Sequence, residues 1–281
     1  MGKARTVGGI LVAVAAMAAG IHAQNLTPWA VASVQERLLA AADPAIAMTL
    51  WSTRRDSPPA GYVRNPRVWT GPSVDLTGKA VWNSWTGSYG TTAISPRHVV
   101  YAEHVNGLYP AGTIVRFVAG DNSVVERIVA ASVRIGATDL DISTLDDPLP
   151  GTIHWFRIMP RHWFLHCART VPGIEGAMPC LVMDGNTQSV SVKDLAGFSE
   201  GVFLTTAPVD ARRRQFTRNL RLGDSGSPMF ILLGGEAVLD GLYHTAQGGV
   251  EVGSYARELD AAMAGSGFQA TIADFSGVTP P

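Results

Sequence analysis

Thr91-Thr92-Ala93-Ile94-Ser95-Pro96-Arg97-His98-Val99-Val100-Tyr101-Ala102-Glu103-His104 is the stretch that decides the fold. Residues 91–94 have the length and β-branched composition of a strand, Ser-Pro-Arg-His supplies turn chemistry, and Val-Val-Tyr resumes a strand that delivers a histidine at its end. The same texture runs outward in both directions. Residues 80–82, 114–119, 124–133, 153–158, 181–183, 189–192, 202–206, 229–233 and 237–243 all read as short strands. Gly120-Asp121-Asn122, Asp184-Gly185-Asn186 and Gly234-Gly235 fall at hairpin positions between them. Many short strands separated by frequent turns predict an all-β sandwich or barrel and argue against a parallel α/β sheet. Residues 257–263 read as a single terminal helix.

The N-terminal part has a different character. Lys3 and Arg5 precede an apolar run over residues 7–21, and Ile21-His22-Ala23 places a small residue before Gln24. That order predicts a secretory signal peptide over residues 1–23, hence a secreted or periplasmic protein. The run is too short and too weakly hydrophobic for a comfortable span, so no stable membrane association is expected. Residues 28–42 read as a helix, with Thr27 as cap and Val31, Val34, Leu38 and Leu39 on one face. The proline- and arginine-rich stretch over residues 54–72 reads as a surface loop or arm, or as the remnant of a propeptide. An N-terminal arm over residues 24–78 and a β-rich domain over 79–281 are therefore expected.

The chain has 281 residues, 46% hydrophobic and 16% charged, which suits one large or two small packed units. A net charge of -1 leaves no global field to attract nucleic acid, so no nucleic-acid partner is expected. Arg212-Arg213-Arg214, beside Asp210, reads as a solvated loop. Export would put Cys167 and Cys180 in an oxidising compartment, where the turn-rich segment between them predicts a disulfide worth about 3 kcal/mol. Neither cysteine has metal-ligand spacing.

The strongest chemical signal is Gly223-Asp224-Ser225-Gly226-Ser227-Pro228. A serine hydroxyl is a weak nucleophile that needs a base, and donors for the oxyanion it creates. Glycines on both sides let the backbone turn tightly, so that the N–H groups of Gly223 and Ser225 can converge on one oxyanion hole.

This hexapeptide resembles the nucleophile motif of the trypsin/chymotrypsin-like serine proteases, especially their secreted bacterial branch. The resemblance extends over residues 79–263. It implies a chymotrypsin-like pair of antiparallel β-barrel lobes, with a C-terminal helix at their end and the N-terminal helical arm, residues 24–78, outside the resemblance. It also implies a catalytic histidine and aspartate upstream of the serine. The segment ending Tyr-Ala-Glu-His is similar to the family's approach to its histidine and points to His104, with His98 left in the turn. Thr138-Asp139-Leu140-Asp141-Ile142 is similar to the pattern in which an aspartate opens an apolar strand. Alignment on Ile142 selects Asp141, with Asp139 as fallback. The implied activity is endopeptidase cleavage of a protein or peptide substrate by a monomer, through His104, Asp141 and Ser225, with no cofactor and no metal. The floor of the primary pocket falls on Asn219, which does not support a preference for Arg or Lys, and His244 on the pocket wall could read the substrate. Val105 stands where a cysteine is common, and no Ile-Val-Gly-Gly start is present, so Asp224 needs another partner, such as an arginine. A protease-like binding domain with a poorly assembled triad is the alternative. An esterase fits less well, because a strand rather than a helix is expected after Ser225.

Overall fold

A computed structural model describes residues 26–87, 90–105, 109–161, 178–199 and 201–275. The expected signal peptide and Cys167 lie outside the described residues. Most of the described chain is β. Strands β3 (Trp82–Asn83), β4 (Thr92–Ser95), β5 (His98–Tyr101), β6 (Ile114–Val118), β7 (Val124–Arg134) and β8 (Asp141–Leu145) form a curled six-stranded sheet in the order β3-β6-β7-β8-β5-β4. An isolated bridge between Lys79 and Thr92 draws its two edges together. Strands β9 (Pro179–Met183), β10 (Val190–Ser199), β11 (Val202–Thr206), β12 (Pro228–Leu233), β13 (Glu236–Tyr243) and β14 (Gly248–Glu251) close into a six-stranded barrel. All strand pairs within the two sheets are antiparallel.

The apolar runs of the barrel are continuous because both strand faces are covered. Along β12, Met229, Ile231 and Leu233 point to a core inside the barrel with Cys180, Val182 and Val238. The intervening Phe230 and Leu232 join a second core with Leu181, Met183, Leu239 and Phe156. Side chains alternate across a strand, so a strand buried on both sides shows no polar positions. The curled sheet has its own core around Ala93, Val99, Tyr101, Val115, Phe117 and Leu145. Residues 153–158, expected as a strand, instead cross as irregular chain. Ile158 alone makes isolated bridges, to Leu239 and Ile272.

The N-terminal arm belongs to the folded body. Helix α1 (Leu26–Ala40), helix α2 (Pro44–Ala47) and a hairpin of β1 (Trp51–Arg55) with β2 (Gly61–Arg64) precede the curled sheet. Val34, Leu38, Leu50, Trp51, Tyr62 and Trp69 are buried in the same core as Phe230 and Leu239. The Trp69 indole N–H also donates to the Val190 carbonyl at 2.7 Å. The arm therefore packs as part of the core and does not run over the surface as a bare loop. Pro58 and Pro59 lie in the connection between these two short strands and give the stretch the composition of a loop.

Helix α3 (Ala211–Gln215) corrects the reading of the arginine run as solvated loop. Arg213 is buried, with Nε 3.2 Å from Asp194 Oδ1. Arg212 donates to the carbonyls of Leu38 and Ala41 at the end of α1, satisfying acceptors that a helix terminus leaves unpaired. Helix α4 (Ala256–Met263) closes the fold, burying Leu259 and Met263. Cys180 is a buried free thiol, Sγ 3.4 Å from the Lys193 carbonyl, so the expected disulfide is not formed. Burial pushes its pKa well up, which leaves it an inert core residue. No helix among the described residues is long and apolar enough to cross a membrane.

Replacing Trp69 by Ala removes a fully packed aromatic and leaves the Val190 carbonyl unpaired. Urea denaturation is expected to register a loss of about 3–5 kcal/mol.

Candidate active site

The turn before β12 is built around two glycines. Gly223 has φ +96° and Gly226 has φ +80°, both in the left-handed region that L side chains avoid. A Cβ on Gly223 would stand 2.8 Å from the Asn186 side-chain nitrogen. Asn186 occupies that space because it ties the turn together. Its side-chain amide donates to the Leu222 carbonyl at 3.2 Å and to Asp224 Oδ1 at 2.9 Å, and its backbone N–H reaches the same Oδ1 at 3.0 Å. Asp224 Oδ2 accepts the Arg221 backbone N–H at 2.7 Å. The partner expected for Asp224 was a guanidinium. The described partners are amides, with the Lys79 ammonium as a buried cation nearby. Lys79 donates to the Ala80 carbonyl at 2.9 Å. Burial lowers its pKa to about 7 against the opposing pull of Asp184 and Asp224.

With Asp224 tucked beneath, the turn leaves Ser225 at its apex. The Gly226 N–H donates to the Tyr243 carbonyl at 2.7 Å, Ser227 N–H to Asp224 O at 3.0 Å, and Asp224 N–H to Arg221 O at 3.0 Å. The N–H groups of Gly223 and Ser225 donate to no group among the described residues. Two free amides beside a serine are what an oxyanion requires.

His104 lies just beyond β5, after Ala102 and Glu103. Its Nε2 is 2.8 Å from Ser225 Oγ and its Nδ1 is 2.6 Å from Oδ2 of Asp139. Asp139 Oδ1 also accepts the His104 backbone N–H at 2.7 Å. The carboxylate thus holds ring and backbone of one residue, which fixes the proton on Nδ1 and leaves Nε2 to accept from the serine hydroxyl. The His104 side chain is 43% exposed and Asp139 22%, so the pair opens to solvent on one side. Burial works against ionising Asp139. The nearby His244 ring and the bonds from the His104 backbone and ring outweigh it and hold its pKa below the ordinary value.

Asp141, expected in that place, does not reach the imidazole. Strand β8 begins at Asp141, opposite Tyr101 and Arg134, and its side chain is fully buried inside the sheet. Burial, with Glu103 adding, raises its pKa to about 7. Asp139 lies earlier, in the turn between β7 and β8, where the chain still projects toward the cleft. His98 is buried against Ser95 Oγ at 2.8 Å and takes no part.

The two expected substrate contacts are separated. Asn219 is exposed in a cavity of about 690 Å³ with Asn186, Arg218, Arg221 and Leu222, whose lining includes neither Ser225 nor His244. His244 instead lies beside the carboxylate that holds His104, Nδ1 3.2 Å from Asp139 Oδ2. Sequence reasoning missed that contact and the role of Asn186. The Asp184-Gly185-Asn186 turn signal located Asn186 without indicating what it holds. Comparison with known protein families finds none that matches this chain, and no curated protein matches it either. Among the described residues no cluster of three or more His, Cys, Asp or Glu could hold a metal ion.

Asp139→Asn is expected to reverse the His104 tautomer, moving the ring proton from Nδ1 to Nε2, a change that nitrogen-15 NMR of the imidazole reads directly. Asp141→Asn behaves differently. Folded Asp141 keeps its proton up to about pH 7, whereas the unfolded chain releases it near the ordinary value. Between those limits the folded state binds more protons, so stability falls as pH rises. The Asn variant should therefore gain stability over the parent at about pH 8 and little at about pH 4, measured by urea unfolding.

Proposed function

We propose that this protein is an exported serine endopeptidase of the trypsin/chymotrypsin type, with Ser225 as nucleophile, His104 as general base and Asp139 as the group that orients it. The observation that carries the reading is the continuous chain of short contacts from Asp139 through His104 to Ser225, beside two unengaged backbone N–H groups. The order His, Asp, Ser along the chain and the strand following the serine favour a peptidase over an esterase elbow, whose nucleophile opens a helix.

The chemistry follows from the geometry. Ser225 Oγ attacks the scissile carbonyl carbon while its proton passes to His104 Nε2. The carbonyl oxygen becomes an oxyanion, received by the N–H groups of Gly223 and Ser225. Asp139 stabilises the resulting imidazolium without taking its proton. Collapse breaks the C–N bond, and His104 returns the proton to the leaving amine. Water then repeats the sequence on the acyl-enzyme and frees Ser225. Every step uses groups the chain itself carries.

A fluorophosphonate probe tests this directly on the exported protein. Labelling is expected in the parent, absent in Ser225→Ala, and slowed about 10⁴-fold or more in His104→Ala. A parent chain that resists the probe would leave the binding-domain reading in its place.

A further inference from the structure

Between the arm and the curled sheet lies a cavity of about 400 Å³. Leu50, parts of the segment 64–77 and Gly120, in the turn between β6 and β7, line it, and no residue of the candidate active site does. Sites for small molecules run from about 300 to 1,000 Å³, so this one suits a small ligand and not a folded partner. Much of the wall is apolar. Leu50, Val74 and Leu76 are buried core residues, and Val68 packs against the same core.

Polar side chains interrupt that wall. Asn65 and Thr77 are paired with neighbouring groups. Thr70, Arg64 and Asp75 each keep an unpaired atom. Thr70 is 1% exposed, and its hydroxyl is buried with no hydrogen-bond partner. Arg64 directs Nε and Nη2 to the carbonyls of Ala119 and Val118 and lays its guanidinium over Trp51 at 5.0 Å, while Nη1 has no partner among the described residues. Asp75 Oδ1 accepts the Thr77 N–H at 2.9 Å and its hydroxyl at 2.7 Å, while Oδ2 has no partner among the described residues. Burial lowers the Arg64 pKa and the Asp75 charge pulls it back up, so the two groups feel each other without forming an ion pair.

That inventory specifies a ligand. The Arg64 nitrogen only donates, the Asp75 oxygen only accepts, and the Thr70 hydroxyl does either. A simple anion would meet the Asp75 carboxylate, and a simple cation the guanidinium. A molecule carrying both signs on one apolar body meets opposite charge at each end. We propose that this cavity binds a free apolar α-amino acid, with its carboxylate on Arg64 and Thr70, its ammonium on Asp75 and its side chain among Leu50, Val68, Val74 and Leu76. The Arg64 backbone N–H also donates to Asn122 Oδ1 at 2.8 Å, so a ligand held there fastens the arm to the curled sheet. The inference is independent of the hydrolase reading, because it uses none of the same residues.

Isothermal titration calorimetry on the full exported protein tests it with L-leucine and three analogues. 4-Methylpentanoate lacks the amine, isoamylamine lacks the carboxylate, and glycine lacks the side chain. Leucine is expected to give saturable heat, and each analogue to bind at least about tenfold more weakly. Asp75→Asn keeps an oxygen for Thr77 and removes the charge. It is expected to weaken leucine about tenfold without weakening 4-methylpentanoate. Absence of saturable leucine heat at millimolar concentration overturns the proposal. So does 4-methylpentanoate binding as tightly as leucine, or an Asp75→Asn chain that binds leucine as the parent does. Should that variant not fold, the analogue series on the parent decides alone.

Discussion

Gly226 brings the barrel against the curled sheet at the one place where chemistry needs them close. A Cβ there would stand 3.1 Å from the Gly90 carbonyl oxygen and 3.5 Å from the Ala102 N. Ala102 is two residues before His104, and Gly226 is one after Ser225. The 2.8 Å contact between imidazole and hydroxyl exists because the backbone at Gly226 can lie directly on the strand end that delivers the histidine. Any larger residue would have to displace backbone rather than a flexible side chain, and φ +80° would add strain of its own. Gly223 serves the same turn from beneath, where it makes room for the Asn186 amide.

That close approach has to be supported over a wide area, and the double-faced strands provide the support. Phe230 and Leu232 on β12 and Leu181 and Met183 on β9 turn outward from the barrel into a core shared with the arm. Ile94, Val100 and Ile142 of the curled sheet enter the same core. The two sheets are therefore joined by a continuous apolar layer, not by a hinge, and the arm residues Trp51, Tyr62 and Trp69 fill its flank. Close-packed interiors transmit displacement, so an arm mutation far from Ser225 can reach the triad through this layer.

Much of this was legible in the sequence because the signals were local. Turn chemistry and β-branched runs marked most strands, and the glycines around Ser225 marked a tight, chemically useful turn. His104 was legible because a strand visibly delivers it. Residues 153–158 misled because apolar β-branched content cannot distinguish a strand from a buried crossing segment. The arginine run misled for the opposite reason. Three adjacent charges look solvated, yet Arg213 finds Asp194 and Arg212 finds the end of α1 only once distant segments meet. Asn186 and the His244–Asp139 contact were equally invisible, since each depends on a partner more than thirty residues away.

The choice between Asp139 and Asp141 shows how such ambiguity is resolved physically. Sequence places both carboxylates beside the same apolar strand, and alternation would put them on one face. The strand starts only at Asp141, so alternation does not extend back to Asp139. One carboxylate is left in a turn where the His104 backbone and ring N–H groups favour its charge, and the other enters a sheet interior where burial outweighs the pull of Arg134 and Tyr101. Their pKa values accordingly move in opposite directions. A group that must stabilise an imidazolium has to stay ionised when the imidazole is protonated. A carboxyl raised to about 7 would lose that charge over the range in which histidine gains its proton. The environment that buries Asp141 therefore unfits it for the role, independently of distance, while the environment of Asp139 suits it.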